Sequence, residues 1–195
     1  MRSNIQIIEK PDWVSWDAIH DVLTQAHKAN RDKGIVMRMP SLPGYRIENE
    51  VGKDGVMLVA LDGTKIVGTA ALLIRNCSTW YNKGQYGYLC FASVVPGYAG
   101  KGIYRMLCEK RERIAKEKGL NGLLFDTHHR NAHVIDINLR NGFKRVAAKN
   151  YGKHWNTVMF KKLDGKPLPK ARCFFSYHCG AIVASIVGTK RTIFN

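Results

Sequence analysis

Three glycines within six residues form the part of this chain that is best suited to binding chemistry. Gly97, Gly100 and Gly102 follow an apolar, β-branched run that stops at Pro96, and a helical pattern begins at about Ile103. Glycine lets the backbone approach a ligand closely and adopt positive φ. The first amides of a helix have no intrahelical partner and point at an anion, helped by the helix dipole. The arrangement predicts a site for a phosphorylated cofactor.

Two common phosphate-binding loops do not fit this segment. A dinucleotide-binding Gly-x-Gly-x-x-Gly motif would need a glycine where Arg105 stands, and a P-loop would need Ser or Thr where Gly102 stands. Both of these loops also follow the first strand of a parallel sheet. In this chain, three or four predicted strands precede the glycine-rich segment. The glycines therefore belong to another class of phosphate loop.

Strand and helix patterns on both sides of the loop indicate a mixed sheet. Apolar runs predict strands at 5–8, 56–61, 65–74, 86–95, 123–127, 143–149 and 155–162. Helical spacing predicts helices at 13–30, 103–118 and 131–141. Asp12 is the expected N-cap of the first helix, and Gly119 and Gly142 are expected to end the other two. The order predicts one α/β sheet with helices on both faces.

The sequence predicts one domain with a C-terminal extension. Residues 1–163 form the expected domain, and 164–195 comprise a proline-containing linker and an apolar tail. The tail is expected to pack on the domain or on a partner subunit, which leaves a homodimer open. The longest apolar stretch, 179–187, is shorter than the roughly 20 residues of a membrane span. We therefore predict no membrane span, and the N-terminus has no signal-peptide pattern.

The charge of the chain favours anionic partners. Lys and Arg number 31 against 15 Asp and Glu, which gives a net charge of +16. Such a field attracts a CoA-like cofactor, a nucleic acid or an acidic substrate, although scattered charges also serve solubility. Five dispersed cysteines without a Cys-x-x-Cys pair predict reduced thiols in a cytoplasmic protein.

Two motifs resemble those of the GNAT superfamily of acyl-CoA N-acyltransferases, over about Ile5 to Lys162. The first reads Val94-Val95-Pro96-Gly97-Tyr98-Ala99-Gly100-Lys101-Gly102-Ile103, followed by Leu107. It is similar to the family's V-x-P-x-y-R-G-x-G-x-G/A pyrophosphate loop. The second comprises Asn131, Val134, Ile137, Arg140, Gly142 and Phe143. It is similar to N-x-x-A-x-x-L-Y-x-K-x-G-F, with the Asn-to-Gly-Phe spacing kept.

The resemblance implies an α/β (α+β) fold whose central sheet is mixed and mostly antiparallel. It also implies transfer of acetyl from acetyl-CoA, or of another acyl group from its acyl-CoA, to a primary amine. The family's usual route is direct attack in a ternary complex, in the cleft between the strands that end at Val95 and Thr127. The implied cofactor-binding residues are Val94 and Val95 for pantetheine, Ala99, Gly100, Lys101, Gly102, Ile103 and Tyr104 for pyrophosphate, and Asn131 for pantetheine.

Three residues depart from the family pattern. Ala99 stands where the family usually has Gln or Arg, which removes one anion contact that Lys101 or Arg105 is expected to replace. Tyr104 stands where the family has Gly or Ala, and its bulk is expected to shift the helix start or to stack near the cofactor. Asn138 occupies the position of a tyrosine that commonly protonates the leaving thiolate. An amide donates a hydrogen bond but cannot act as a general acid, so Asn138 is a catalytic candidate only as a donor.

The proton acceptor has three candidates, His128, Glu48 and Glu50. His128 follows the strand end, and an unperturbed pKa near 6.5 suits a general base. Glu50, with its neighbour Glu48, lies in the predicted loop 31–55, which together with loop 76–84 would select the substrate. Tyr88 and Ser93, on the cofactor strand, are expected to be structural. No metal site is predicted, since no carboxylate or cysteine accompanies the nearby histidines His128, His129 and His133.

The sequence leaves the acceptor amine open. A small molecule or a peptide is expected, and the net charge keeps an amine on aminoacyl-tRNA or a ribosomal protein as an alternative, although nucleic acid is not favoured. Because Ala99 and Asn138 depart from the family pattern, a second alternative is that the chain is a non-catalytic CoA-binding or interaction module.

Overall fold

Seven strands, six α-helices and a one-turn 3₁₀ helix at Pro96–Tyr98 form the regular structure of the described part of the chain. The computed structural model describes residues 5–32, 34–35, 42–152 and 154–193. The strands are β1 (Ile5–Glu9), β2 (Val56–Asp62), β3 (Lys65–Ser78), β4 (Lys83–Val94), β5 (Gly122–His128), β6 (Lys144–Asn150) and β7 (Trp155–Lys162). The helices are α1 (Trp16–Ala26), α2 (Lys28–Asp32), α3 (Gly44–Val51), α4 (Ile103–Glu117), α5 (Ala132–Arg140) and α6 (Lys170–Ile193).

The strands form one sheet in the order β1-β2-β3-β4-β5-β7-β6. The pairs β1–β2, β2–β3, β5–β7 and β6–β7 are antiparallel. The α/β class and the mostly antiparallel sheet expected from the sequence are confirmed. All seven predicted strands are present, with ends that differ by a few residues.

The chain divides into two compact units. One comprises Met1–Arg75 and Gly87–Gly119, and the other comprises Asn76–Tyr86 and Leu120–Asn195. The boundary expected after residue 163 stays a prediction.

The first unit has an apolar core between helices α1 and α3 and strands β2 and β3. Its fully buried members include Ile19 on α1, Ile47 on α3 and Val59 on β2. Helix α4 presents Ile103 and Leu107 to the interior, one helical turn apart, and contacts β1 and β2.

Helix α1 begins three residues later than the sequence analysis expected, so Asp12 as N-cap was wrong. The N-cap is Ser15, whose Oγ accepts a hydrogen bond from the N–H of Ala18 at 3.1 Å. The predicted helix also breaks at His27, and the short helix α2 follows. Within the predicted loop 31–55, Gly44–Val51 forms helix α3, while residues 33 and 36–41 lie outside the described part of the chain.

The second predicted loop, 76–84, is shorter than expected. Strand β3 continues to Ser78 and β4 begins at Lys83. The turn between them closes because the N–H of Thr79 donates to the carbonyl of Asn82 at 2.7 Å. Asn82 is buried, and its side-chain amide donates to the carbonyl of Gly84 at 3.0 Å. These bonds let both strands extend.

The apolar tail of the second unit forms the long helix α6, which packs on β6 and β7. The Ser176 hydroxyl donates to the carbonyl of Val146 at 2.8 Å, and the Asn150 side-chain amide donates to the carbonyl of Ala184 at 3.0 Å. Within the described ranges, no helix has both the length and the apolar character needed to cross a membrane.

Strand β4 carries a local irregularity at Phe91, whose φ of +51° is in the left-handed region. Such a conformation is uncommon for a bulky residue and needs support. The buried Thr69 hydroxyl donates to the carbonyl of Phe91 at 2.9 Å and lies 3.0 Å from the Ser93 hydroxyl. Thr69 therefore fixes the backbone three residues before the end of β4.

We expect Thr69→Val to lower the free energy of unfolding by about 1–2 kcal/mol, because the carbonyl of Phe91 loses a buried donor. Equilibrium urea unfolding measures this change. Thr64→Val, at an exposed position in the β2–β3 turn, is the control and should change the free energy of unfolding little. Equal effects of both substitutions would contradict the role of Thr69.

Candidate active site

The glycine-rich loop between β4 and α4 forms an open main-chain cradle. Gly100 and Gly102 have φ values of +78° and +77°, which glycine adopts without strain. The first bond of the helix runs from the N–H of Met106 to the carbonyl of Gly102, so the three preceding helical amides have no intrahelical acceptor. A Cβ placed on Gly97, Gly100 or Gly102 would meet no atom within 4 Å. The open space beside these glycines and the position of the loop at a helix start fit a pyrophosphate group.

A tyrosine anchors the loop to the β2–β3 turn. The Tyr98 hydroxyl donates to the Asp62 carboxylate at 2.9 Å, and this bond raises the pKa of Tyr98. The Lys101 ammonium lies 4.4 Å from the centre of the Tyr98 ring, and the Lys65 ammonium lies 5.5 Å from it. The Tyr98 ring therefore holds Lys65 and Lys101 beside the loop. Their positive charge lies near Ala99, which stands where the family pattern has a polar residue.

We expect Tyr98→Phe to raise the KM for acetyl-CoA about fivefold, because loss of one hydrogen bond of about 1 kcal/mol loosens the loop. The ring that holds the lysines remains, so kcat should change little. Steady-state kinetics with varied acetyl-CoA test this. Tyr45→Phe, at an exposed position on α3, is the matched control. An unchanged KM in the Tyr98 variant would show that the bond does not position the loop.

The remaining departures near the loop leave its frame intact. Helix α4 begins at Ile103, so the expected shift of the helix start by Tyr104 does not occur. Tyr104 is half-buried. Arg105 is exposed and pairs with Glu109 at 3.6 Å, so Lys101 is the better replacement for the lost anion contact.

Val94 and Val95, at the end of β4, differ in the backbone hydrogen bonds that they can offer to a ligand. The N–H of Val95 donates to the carbonyl of Val67 at 3.0 Å, and its carbonyl accepts from Tyr98 at 2.9 Å. The Val95 donor expected to bind pantetheine is therefore already used. Neighbouring residues of a strand direct their backbone groups to opposite edges, so Val94 faces the edge away from β3. Val94 is the better candidate for a backbone contact.

Tyr88 and Ser93 have the contacts of structural residues. Tyr88 is partly buried and packs against the core of the first unit. Ser93 is buried and its hydroxyl lies 3.0 Å from that of Thr69.

The two candidate glutamates lie on helix α3. Glu50 occupies the last turn of α3 and is half-buried, whereas Glu48 is exposed.

The β5–α5 corner of the second unit contains Asn131 and His128. Asn131 is buried at the start of α5, and its side-chain amide donates to the Thr127 hydroxyl at 3.2 Å. Its backbone N–H donates to the carbonyl of His128 at 2.8 Å. The corner is thus held by bonds among residues of the second sequence motif and the end of β5.

His128 differs from the free imidazole assumed in the sequence analysis. Burial first, and then the charges of His129, His154 and Arg130, lower its pKa to about 4. Its Nδ1 accepts a hydrogen bond from the N–H of Arg130 at 3.1 Å. The neutral ring therefore carries its proton on Nε2, which makes His128 a hydrogen-bond donor in this state.

Two other histidine rings stack on His128. The ring centres of His129 and His154 lie 4.6 Å and 5.0 Å from it, both stacked, and Trp155 stacks on His129 at 4.4 Å. The Nδ1 of His129 donates to the carbonyl of Trp155 at 3.0 Å. In the described ranges, no group of three His, Cys, Asp or Glu side chains could hold a metal ion. The histidines are a packed stack.

Asn138 is buried within α5. Its side-chain amide donates to the carbonyl of Val134, one turn earlier, at 2.8 Å. This bond holds the buried carboxamide against its own helix, which favours a structural role at the position where the family pattern has a tyrosine.

Several solved structures share this fold at low sequence identity. PaiA N-acetyltransferase from Thermoplasma acidophilum, in complex with coenzyme A, is 22% identical with a TM-score of 0.63, over 82% of this chain and 99% of that one. YncA from Salmonella typhimurium, with its cofactor acetyl-CoA, is 20% identical with a TM-score of 0.62, over 87% and 99%. The ribosomal-protein-S18-alanine N-acetyltransferase from Escherichia coli is 14% identical with a TM-score of 0.61, over 85% and 96%. No curated protein matches the chain significantly.

The fold and the loop define an acyl-CoA-dependent N-acyltransferase. The model of the acetyltransferase (GNAT) family matches residues 16–143, well over half of the sequence. The chain belongs to this family, as its two motifs indicated. Sequence reasoning missed Lys65 and the Tyr98–Asp62 bond, because nothing in the spacing connects the hairpin turn with the loop.

Proposed function

We propose that the protein transfers acetyl from acetyl-CoA, or another acyl group from its acyl-CoA, to a primary amine by direct attack in a ternary complex. The observation that carries this proposal is the open cradle after β4, with left-handed Gly100 and Gly102 at the start of α4. Acyl-CoA supplies a thioester that is already activated toward an amine. The protein then has to position the two substrates and remove a proton from the attacking ammonium.

We assign the parts of acyl-CoA to the backbone and side-chain groups that can bind them. The amides of residues 100–103 receive the pyrophosphate, because the N–H of Ala99 already donates to the carbonyl of Pro96 at 3.1 Å. Lys101 and Lys65 add positive charge. The backbone of Val94 binds the pantetheine arm and stabilises the developing oxyanion through its N–H. Asn131 supports the pantetheine contact from the start of α5.

Glu50 is the proposed proton acceptor. His128 is poorly suited to that task, since its Nδ1 already accepts a hydrogen bond and its pKa is lowered to about 4. Loss of a general base costs about 100-fold or more in rate. Glu50→Gln should therefore lower kcat at least that much, whereas His128→Gln and Asn138→Ala should each cost about tenfold or less. A larger loss in the His128 variant would reverse the assignment.

An amine panel tests the activity itself. CoA release is measured with acetyl-CoA and small amines, amino acids, peptides and polyamines, and the acetylated product is identified by mass spectrometry. At least one amine should stimulate CoA release. If acetyl-CoA binds while no amine stimulates release, the chain is a CoA-binding module rather than an enzyme.

A second candidate substrate is an amine on an RNA-associated molecule. The net charge of +16 favours it, and one solved structure with this fold is named for acetylating a ribosomal protein. An N-terminal peptide of a ribosomal protein and an aminoacyl-tRNA belong in the same panel. Affinity for RNA that falls steeply with added salt would support this candidate.

A further inference from the structure

The positive charge of the chain is concentrated in its C-terminal part. Residues 120–195 contain 13 Lys and Arg but only three acidic residues, Asp126, Asp136 and Asp164. This part therefore carries +10 of the net charge of +16. Helix α6 contains no acidic residue at all, while it includes Lys170 and Arg172 in its first turn. A surface built on this helix attracts anions.

Helix α6 exposes several large apolar side chains. Cys173 and Ala184 face β6 and β7 and are buried. The rest of the helix surface exposes Phe174 (59%), Phe175 (65%), Ile182 (60%), Val183 (59%) and Ile186 (53%). Their Cα atoms are separated by at most 12 helical rises, or about 18 Å of helix. We call these five residues the apolar strip, because exposed apolar side chains in this number on one helix mark an interaction surface.

A basic pocket lies at the N-terminal end of this apolar strip. It has a volume of about 190 Å³, and its lining includes Lys144, Arg145, Lys170 and Phe174 but no acidic residue. The Nε of Arg145 is buried without a hydrogen-bond partner, and the guanidinium lies 5.6 Å from the centre of the Tyr177 ring. A buried, unpaired donor of a cation indicates an anionic ligand.

We propose that α6 docks the protein on an anionic lipid surface. Its apolar strip enters the interface, and a phosphate headgroup occupies the pocket of Lys144, Arg145 and Lys170. An apolar face beside basic side chains is the pattern of helices that lie in a membrane interface. A second copy of this chain is disfavoured as the partner because it would bring the same positive charge to the interface. A nucleic acid is disfavoured because it would leave the apolar strip exposed to water. An anionic bilayer matches both features.

Vesicle flotation tests the proposal with the full chain. The protein should float with phosphatidylcholine vesicles that contain about 30% phosphatidylglycerol, but not with phosphatidylcholine alone, and added salt should release it. The double variant Phe175→Ser, Ile182→Ser should reduce the bound fraction about tenfold. Its control is Trp13→Ser, which removes a 60% exposed aromatic residue from the first unit and should leave binding unchanged.

The pocket is tested separately. Arg145→Gln should weaken binding to the anionic vesicles, whereas Arg113→Gln, at an exposed position on α4, should not. Circular dichroism and acetyl-CoA affinity show that each variant is folded, so failure of the docking proposal is distinct from failure of the enzyme proposal.

Three outcomes would overturn the docking proposal. One is absence of binding to anionic vesicles, and another is binding that the variants on α6 leave unchanged. The third is a concentration-dependent dimer, seen by light scattering, that the double variant abolishes while vesicles do not bind. That result would make the strip an interface between copies of the chain.

Discussion

Replacing Gly100 and Gly102 together by alanine is expected to raise the Kd for acetyl-CoA about 100-fold. Both residues have φ near +77°, where a Cβ costs about 1–2 kcal/mol per residue. The loop escapes this strain only by rotating its backbone, which turns the amides of the cradle away from the phosphates. A loss of about 2–4 kcal/mol corresponds to a factor of 30 or more in affinity. Isothermal titration calorimetry with acetyl-CoA measures it.

Gly97 provides a matched control in the same loop. It is not among the glycines with positive φ, and a Cβ there meets nothing within 4 Å, as at the other two positions. Gly97→Ala should therefore bind acetyl-CoA like the wild type. If the double variant also bound normally while remaining folded, the loop would not be the pyrophosphate site. Equal losses in both variants would instead point to steric exclusion by any side chain.

The local order of the loop could be predicted because it depends on neighbouring residues. Proline ends β4, glycines supply the left-handed turns, and an apolar spacing of four places Ile103 and Leu107 on the buried side of α4. Each of these effects acts over one or two turns of chain, so the sequence alone carries it. The family pattern added the order of strands, which local patterns do not determine.

The contacts that tune the site could not be predicted in the same way. Tyr98 and Asp62 are 36 positions apart, and Val95 and Val67 are 28 apart, so both pairs depend on how β2, β3 and β4 are arranged. The helix α6 was missed for a different reason. Its exposed Phe, Ile and Val residues have the composition of a buried segment, so the sequence indicated a packed tail and not a helix with an exposed apolar surface.

His27, at the end of α1, makes the free energy of unfolding depend on pH. Its Nδ1 accepts from the side-chain amide of Asn30 at 3.2 Å, so its proton lies on Nε2, which is buried without a hydrogen-bond partner. Burial first, and then the charge of Arg31, lower its pKa to about 4 from 6.5. The unfolded chain therefore binds the proton more strongly than the folded one, and stability falls as the pH drops from about 6.5 to about 4.

We expect His27 to account for about 3 kcal/mol of stability lost between pH 7 and pH 4, since each pKa unit is worth about 1.4 kcal/mol. His27→Phe keeps a ring in the site but cannot take up a proton, so the variant should lose about 3 kcal/mol less over that range. Urea unfolding at both pH values measures the difference. His133→Gln, at an exposed position on α5, is the control and should retain the wild-type loss. An identical loss in the His27 variant would mean that other groups, such as the buried His128, set the acid sensitivity.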